Sequence, residues 1–168
     1  MPTIDPQVPL NERAIAMARR LTRQEFEINV TFHSFGLQET DESNVPVSYP
    51  DDPPEYGQFL HVRPGRLDFF SGGHTHAAHA IVEVWDGAPT AEEAGRWEDQ
   101  AEDTLTTVGG ELIFWDMGKT EDVVQLGETG GTWGVRVASS GRSEVAELEE
   151  QGEDADGVEQ YLLQFWRK

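Results

Sequence analysis

The sequence predicts a mainly β protein, an antiparallel two-sheet β-sandwich with one short helix. Three observations carry that prediction. Short stretches of alternating apolar and polar residues recur along the chain. Glycine or aspartate punctuates the gaps between the later ones. Strand and helix patterns do not alternate as a parallel α/β sheet would require. A jelly roll is the alternative, because strand count does not fix connectivity. With 168 residues, 37% of them hydrophobic and including five Trp, eight Phe and three Tyr, the chain can fill one core.

Residues 1–24 read as a flexible basic segment ahead of a single acidic sandwich domain over residues 25–168. Pro2, Pro6 and Pro9 make the lead irregular, and Asn11 is placed to cap a short helix ending near Arg23, with Ile15 and Leu21 as its large aliphatics. Met17 stands as an alternative first residue, which would make residues 1–16 an extension. From Glu25 the period changes: Phe26, Ile28, Val30 and Phe32 alternate with Glu27, Asn29, Thr31 and His33, as a half-buried strand requires. Residues 39–57 hold four prolines and six acids and predict a long surface loop.

Strands follow at residues 59–62 and 66–70, with Pro64-Gly65 as the turn between them. Another covers residues 77–85 and ends at the turn dipeptide Asp86-Gly87. Pro89-Thr90 then opens the predicted helix, residues 91–103, with Trp97 inward and six acids outward. The last strands are residues 111–115, 123–126, 133–138 and 161–166.

Charge narrows the function. Thirty-two acidic against twelve basic residues give a formal charge of −20, which disfavours direct contact with nucleic acid or an anionic membrane and favours a basic protein partner. The first 24 residues carry four arginines against Asp5 and Glu12, so the acidity belongs to the domain that follows. The chain has no cysteine, which excludes disulfides, thiolate metal sites and cysteine nucleophiles. No apolar run approaches the ~20 residues of a membrane span, and a cytoplasmic protein is the expectation.

Three of the five histidines fall in the stretch GHTHAAHAIVEVW, residues 73–85. If a strand already runs there, His74 and His76 share a face and are candidate metal ligands, with His79 and Glu83 on the other face. The His-x-His element resembles the cupin signature. That family places its Glu closer than Glu83 lies to His76, and the second Pro-Gly-His motif does not follow. No third ligand shares the face, so no cofactor is expected. Other catalytic patterns are missing too: no nucleophile elbow, phosphate loop or His-Glu-x-x-His helix occurs.

The acids cluster in two places. Glu92, Glu93, Glu98, Asp99, Glu102 and Asp103 fall on the predicted helix, while residues 143–159 contain eight acids and no base, among them Glu149, Glu150, Glu153, Asp154 and Asp156. Residues 143–159 separate two strands and must be a connection at an edge or end of the sandwich. Side by side, the two clusters would imitate the phosphate array of a nucleic acid and suit the basic cleft of a nuclease. Set apart, they would serve solubility alone.

The stretch from Phe26 to Phe35, FEINVTFHSF, resembles the aromatic opening strand of the competence protein J family, small acidic bacterial proteins associated with inhibiting a competence nuclease. Residues 65–84 are similar to its middle strand pair. Residues 131–137 and 161–166 are similar to its closing strands and, still more, to those of uncharacterised acidic proteins of high-GC bacteria. The resemblance spans residues 25–166 and carries no functional residue with it. It implies a non-enzymatic β protein that inhibits a nuclease or nuclease toxin, as a competence nuclease inhibitor or immunity protein does. The alternatives are a small cupin-like metal-dependent enzyme or ligand binder using His74 and His76, and a structural or scaffold domain with solubilising acidity.

Overall fold

The structure is a computed structural model, and it describes residues 17–45, 58–90 and 96–168. Among the described residues ten strands run in chain order: β1 Arg20–Thr31, β2 Ser34–Glu39, β3 Leu60–Arg63, β4 Arg66–Phe70, β5 Thr75–Trp85, β6 Asp99–Thr107, β7 Glu111–Trp115, β8 Lys119–Gln125, β9 Gly131–Ser140 and β10 Gln160–Arg167. A 3-10 turn covers Glu42–Asn44, and the one α-helix among the described residues, α1, covers Arg142–Glu150. No helix of the described residues is long and apolar enough to cross a membrane.

The protein is mainly β, as the alternation predicts, but its strands do not form two facing sheets. Hydrogen bonding joins them in one sheet of order β3-β4-β2-β1-β5-β10-β9-β6, with β7 on β2 and β8 on β7. The sheet curls into a nearly closed barrel. Its two terminal strands meet where Gly65 N, in the β3–β4 turn, donates to Thr106 O of β6 at 2.8 Å. Nor is the sheet wholly antiparallel, since β10 lies parallel to β5 from Gln160↔His79 to Trp166↔Trp85. Both strands are entered from the same end of the barrel, which forces them to run the same way.

The predicted strands stand with small shifts of boundary, and three expectations change. Residues 99–103, expected as the end of a helix, are strand: β6 pairs with β9 from Asp99↔Ser139 to Thr107↔Gly131. Leu105 and Thr107 of β6 face the core, so tertiary pairing overrides the helical spacing of its acids. Residues 91–95 lie outside the described residues. Residues 20–23 begin β1 rather than close a basic helix, because β5 extends far enough to pair Arg20 with Trp85; residues 1–16 lie outside the described residues. β2 carries no apolar-polar alternation, since Phe35 to Glu39 are buried on both faces. Residues 46–57 of the expected long loop also lie outside the described residues.

The core is continuous. Ile28, Val30, Leu37, Leu67, Phe69, Val82, Leu112, Phe114, Val135, Val137, Leu163 and Phe165 fill the barrel, each worth about 1.5–3 kcal/mol when removed from water. Phe35 stacks on Phe69 at 4.7 Å between centroids and meets Tyr161 edge-on at 5.0 Å. This aromatic column rises to the barrel end where β5 and β10 begin.

The opposite end is closed by a carboxylate. Glu39 is buried at 1% exposure and accepts hydrogen bonds from Val108 N at 3.1 Å, from Gly109 N and from Asn44 Nδ2 at 3.4 Å. Gly65 approaches it with a φ of +74°, and a Cβ there would stand 3.0 Å from Glu39 Oε2 and 2.9 Å from Asn44 O. Only glycine meets both demands. Replacing Glu39 by Ala strands the two loop amides, and denaturant unfolding is expected to show a loss of about 2 kcal/mol or more.

Candidate functional site

Three of the connections at the barrel end opposite Glu39 touch one another. They are the two-residue turn Phe32-His33 between β1 and β2, residues 71–74 between β4 and β5, and the arm 141–159 that carries α1 between β9 and β10. Sequence reasoning identified parts of the second and third and missed the first.

Glu159 ties this end together. It has no exposed surface, and it accepts from Ser71 Oγ at 2.8 Å, Gly72 N at 3.0 Å and Tyr161 OH at 2.6 Å. Ser71 Oγ also lies 2.8 Å from His76 Nε2 and accepts from Gly73 N at 3.0 Å. Burial, reinforced by the Glu159 carboxylate, pushes the Tyr161 phenol well above its ordinary value of 10.0. The Ser, His and Glu side chains are those of a hydrolytic triad, but their arrangement is not. A triad sets its carboxylate on the far ring nitrogen and exposes the hydroxyl. Here Glu159 lies 4.0 Å from His76 Nε2, the same nitrogen that meets Ser71, while Nδ1 faces Ala77 O and Ser71 is buried. The arrangement anchors a loop.

The candidate pair His74 and His76 is divided. β5 begins at Thr75, so His74 precedes the strand and is exposed, whereas His76 points into the Ser71–Glu159 network. Their strand alternation therefore does not apply. Among the described residues, no group of three His, Asp or Glu side chains is placed to hold a metal ion.

The acids play unequal parts. Glu98 accepts from Gly141 N at 3.0 Å and Ser143 N at 3.4 Å, capping α1 from the segment before β6, and Asp99 pairs with Arg142 at 2.9 Å. A carboxylate at a helix N-terminus meets both its free amides and the positive end of its dipole. These contacts set the start of β6 at the foot of α1, so Glu98 and Asp99 meet the N-terminal end of the acidic arm. Glu102 pairs with Arg136 at 3.2 Å, and Asp103 accepts from Thr104 N at 2.7 Å. Glu92 and Glu93 lie outside the described residues.

On the arm, Glu149 turns inward. It accepts from His74 N at 2.6 Å and Thr75 N at 3.1 Å. Burial pushes its pKa up, but these two amides, with the charges of His76 and His33, outweigh that and hold it below its ordinary value of 4.5. Asp156 accepts from Ala77 N at 2.7 Å, and Asp154 from Asp156 N at 2.9 Å. Glu150 and Glu153 are exposed, together with Glu144 and Glu147, which the sequence reading did not single out. Val145 is the buried residue of α1, so Glu144, Glu147 and Glu150 stand on its outer side at helical spacing. Beside the arm, an open groove of about 500 Å³ is lined by Glu27, His79 and Asp156 among others.

The arm packs closely because residues 72 and 73 are glycines. A Cβ on Gly72 would run into the Arg142 carbonyl, and one on Gly73 into Val145, with His76 Cδ2 at 2.8 Å and Glu149 Cδ at 3.0 Å. The turn Phe32-His33 is held against the same segment: His33 N donates to His74 O at 2.9 Å and Ser71 N to His33 O at 2.7 Å. Both turn residues have positive φ, 52° and 64°, a conformation costing roughly 1–2 kcal/mol for each residue with a side chain. Asn-Gly is the usual occupant of such a turn. Phe32, expected on the buried face of its strand, is instead 63% exposed at the tip, its ring edge-on to His74 at 5.1 Å. No turn signal in the sequence marks it.

The fold is shared with two solved structures. ComJ from Bacillus subtilis, an inhibitor of the DNA-degrading activity of NucA, superposes with a TM-score of 0.57 at 12% identity, over 91% of this chain and 100% of that one. A protein of crocagin biosynthesis, the product of crocagin biosynthetic gene J, gives 0.56 at 11% identity, over 88% and 99%. The resemblance read from the strand patterns thus holds at the level of fold. No family model matches the sequence, and no curated protein matches it.

Two outcomes follow from this geometry. Glu149, with a folded pKa below 4.5, contributes stability that is present above pH 4.5 and lost as pH falls through the folded value; Tyr161, with a raised pKa, contributes stability present below pH 10 and lost above it. Thermal unfolding across pH should show both limbs, the acid limb shallower in Glu149→Gln and the alkaline limb shallower in Tyr161→Phe. Gly73→Ala should lower Tm by about 4 °C or more, since an overpacked contact costs about 1–3 kcal/mol.

Proposed function

We propose that the protein is a non-enzymatic inhibitor that binds a basic nuclease through the carboxylates displayed where α1 meets β6, and that it acts in the cytoplasm. The observation that carries this reading is the pair of contacts Glu98–Gly141 and Asp99–Arg142, which bring two acid-rich segments to one barrel end. The fold shared with an inhibitor of DNA degradation supports it. The second structural neighbour belongs to a biosynthetic system, so the fold serves more than one purpose. The charge on the surface is what favours the inhibitor reading here. With a net charge of −20, the protein steers a basic partner toward itself and repels competing DNA.

The carboxylates do not act alike. Glu98, Asp99, Glu149 and Asp156 bind the arm to the barrel and position the surface. Glu144, Glu147, Glu150 and Glu153 are the ones offered to a partner, while Glu102 and Asp103 lie further along β6.

Plasmid cleavage by each purified DNA-degrading nuclease of the source organism, titrated with this protein, tests the reading. One nuclease should be inhibited near equimolar ratio. The variant Glu144→Lys/Glu147→Lys/Glu150→Lys/Glu153→Lys should fold normally and associate about tenfold more slowly at low salt, with the difference shrinking as salt screens it. Inhibition of no nuclease, or equal association rates for the two proteins, would contradict the reading.

A further inference from the structure

The sequence places Phe32 inside a strand, yet the structure sets it at the hairpin tip with most of its surface in water. Two bulky residues hold the turn where glycine would be easier, and residues kept in such sparsely populated conformations cluster at binding sites. The ring is not loosely held. His74 meets Phe32 and His33 edge-on, each at 5.1 Å. Backbone bonds fix His33 to residues 71 and 74, and Glu149 fixes His74 through its amide. An exposed aromatic ring already immobilised in this way loses little freedom on binding.

We propose that Phe32 is the apolar anchor of the inhibitor surface, entering a pocket on the basic partner while cations around that pocket meet the carboxylates of α1. The inference rests on the inhibitor reading above and names the residue that carries its affinity. Glu149 makes the two parts continuous, since it belongs to α1 and holds the backbone of the residue packed on Phe32. A buried aromatic centre within a charged rim is the usual anatomy of a tight protein interface. A basic partner fits better than a second copy, because two chains of charge −20 repel one another. Val108, also exposed, sits at the opposite barrel end, after β6 and beside Glu39, and serves as the control.

The test uses the full-length protein with the nuclease it inhibits. Phe32→Ala should weaken inhibition about thirtyfold, chiefly through faster dissociation, whereas Val108→Ala should not change it. The double variant Phe32→Asn/His33→Gly supplies the residues the turn prefers; its Tm should hold or rise while inhibition falls by a similar factor. Full inhibition by both Phe32 variants overturns the anchor and leaves the inhibitor reading standing. Weakened inhibition with a lowered Tm in both variants makes Phe32 a structural residue and also overturns it. A dimer in sedimentation that Phe32→Ala dissociates overturns it in favour of a second copy. If the wild type inhibits no nuclease, the inhibitor reading fails and the anchor fails with it.

Discussion

A carboxylate with no exposed surface must find donors inside the protein or lose its charge, and Glu159 finds three on two separate parts of the chain. Tyr161 approaches from its own strand; Ser71 and Gly72 come from the loop leaving β4. The loop is thereby fixed against the first residues of β10. Once residues 71–74 are fixed, the rest of that barrel end follows. Gly72 and Gly73 admit α1, Glu149 of α1 fastens the amides of His74 and Thr75, and His74 receives the Phe32-His33 turn. The surface proposed for partner binding is built on this one buried carboxylate.

The barrel uses the same device at its other end for a different purpose. Glu39 also takes loop amides into a buried carboxylate, but there the loop joins β6 to β7 and the effect is closure, next to the Gly65–Thr106 contact between the terminal strands. A third buried glutamate, Glu83, faces outward from β5 and is covered by Arg20, Trp85 and Gln164. In a chain this acidic, part of the carboxylate content is structural. Net charge therefore overstates what is available to a partner, and hydrogen bonds to the β5 end set Glu149 and Asp156 apart from Glu144, Glu147, Glu150 and Glu153.

The legible parts of the fold were those with a one-sided pattern. β1, β4 and β9 alternate and announce themselves, and the Pro64-Gly65 turn is written in its residues. β2 is buried on both faces and carries Gly36 and Gln38, so no period marks it. The first half of β6 carries acids at helical spacing, and the pairing with β9 that makes it a strand is long-range. The two acidic clusters could be read, but not their adjacency, which depends on Glu98 reaching Gly141 across 43 residues. Nor could the exposure of Phe32 be read, since Phe and His are not turn residues and long-range bonds with residues 71 and 74 help hold the backbone there.

Amide hydrogen exchange on wild type and Glu159→Ala tests the role of the buried carboxylate most directly. If Glu159 holds this barrel end, the variant should lose protection together at the amides of residues 71–75 and 142–150, while Val108 and Gly109 on Glu39 keep theirs. Unchanged protection at residues 71–75, or a uniform loss over both ends, would contradict the account.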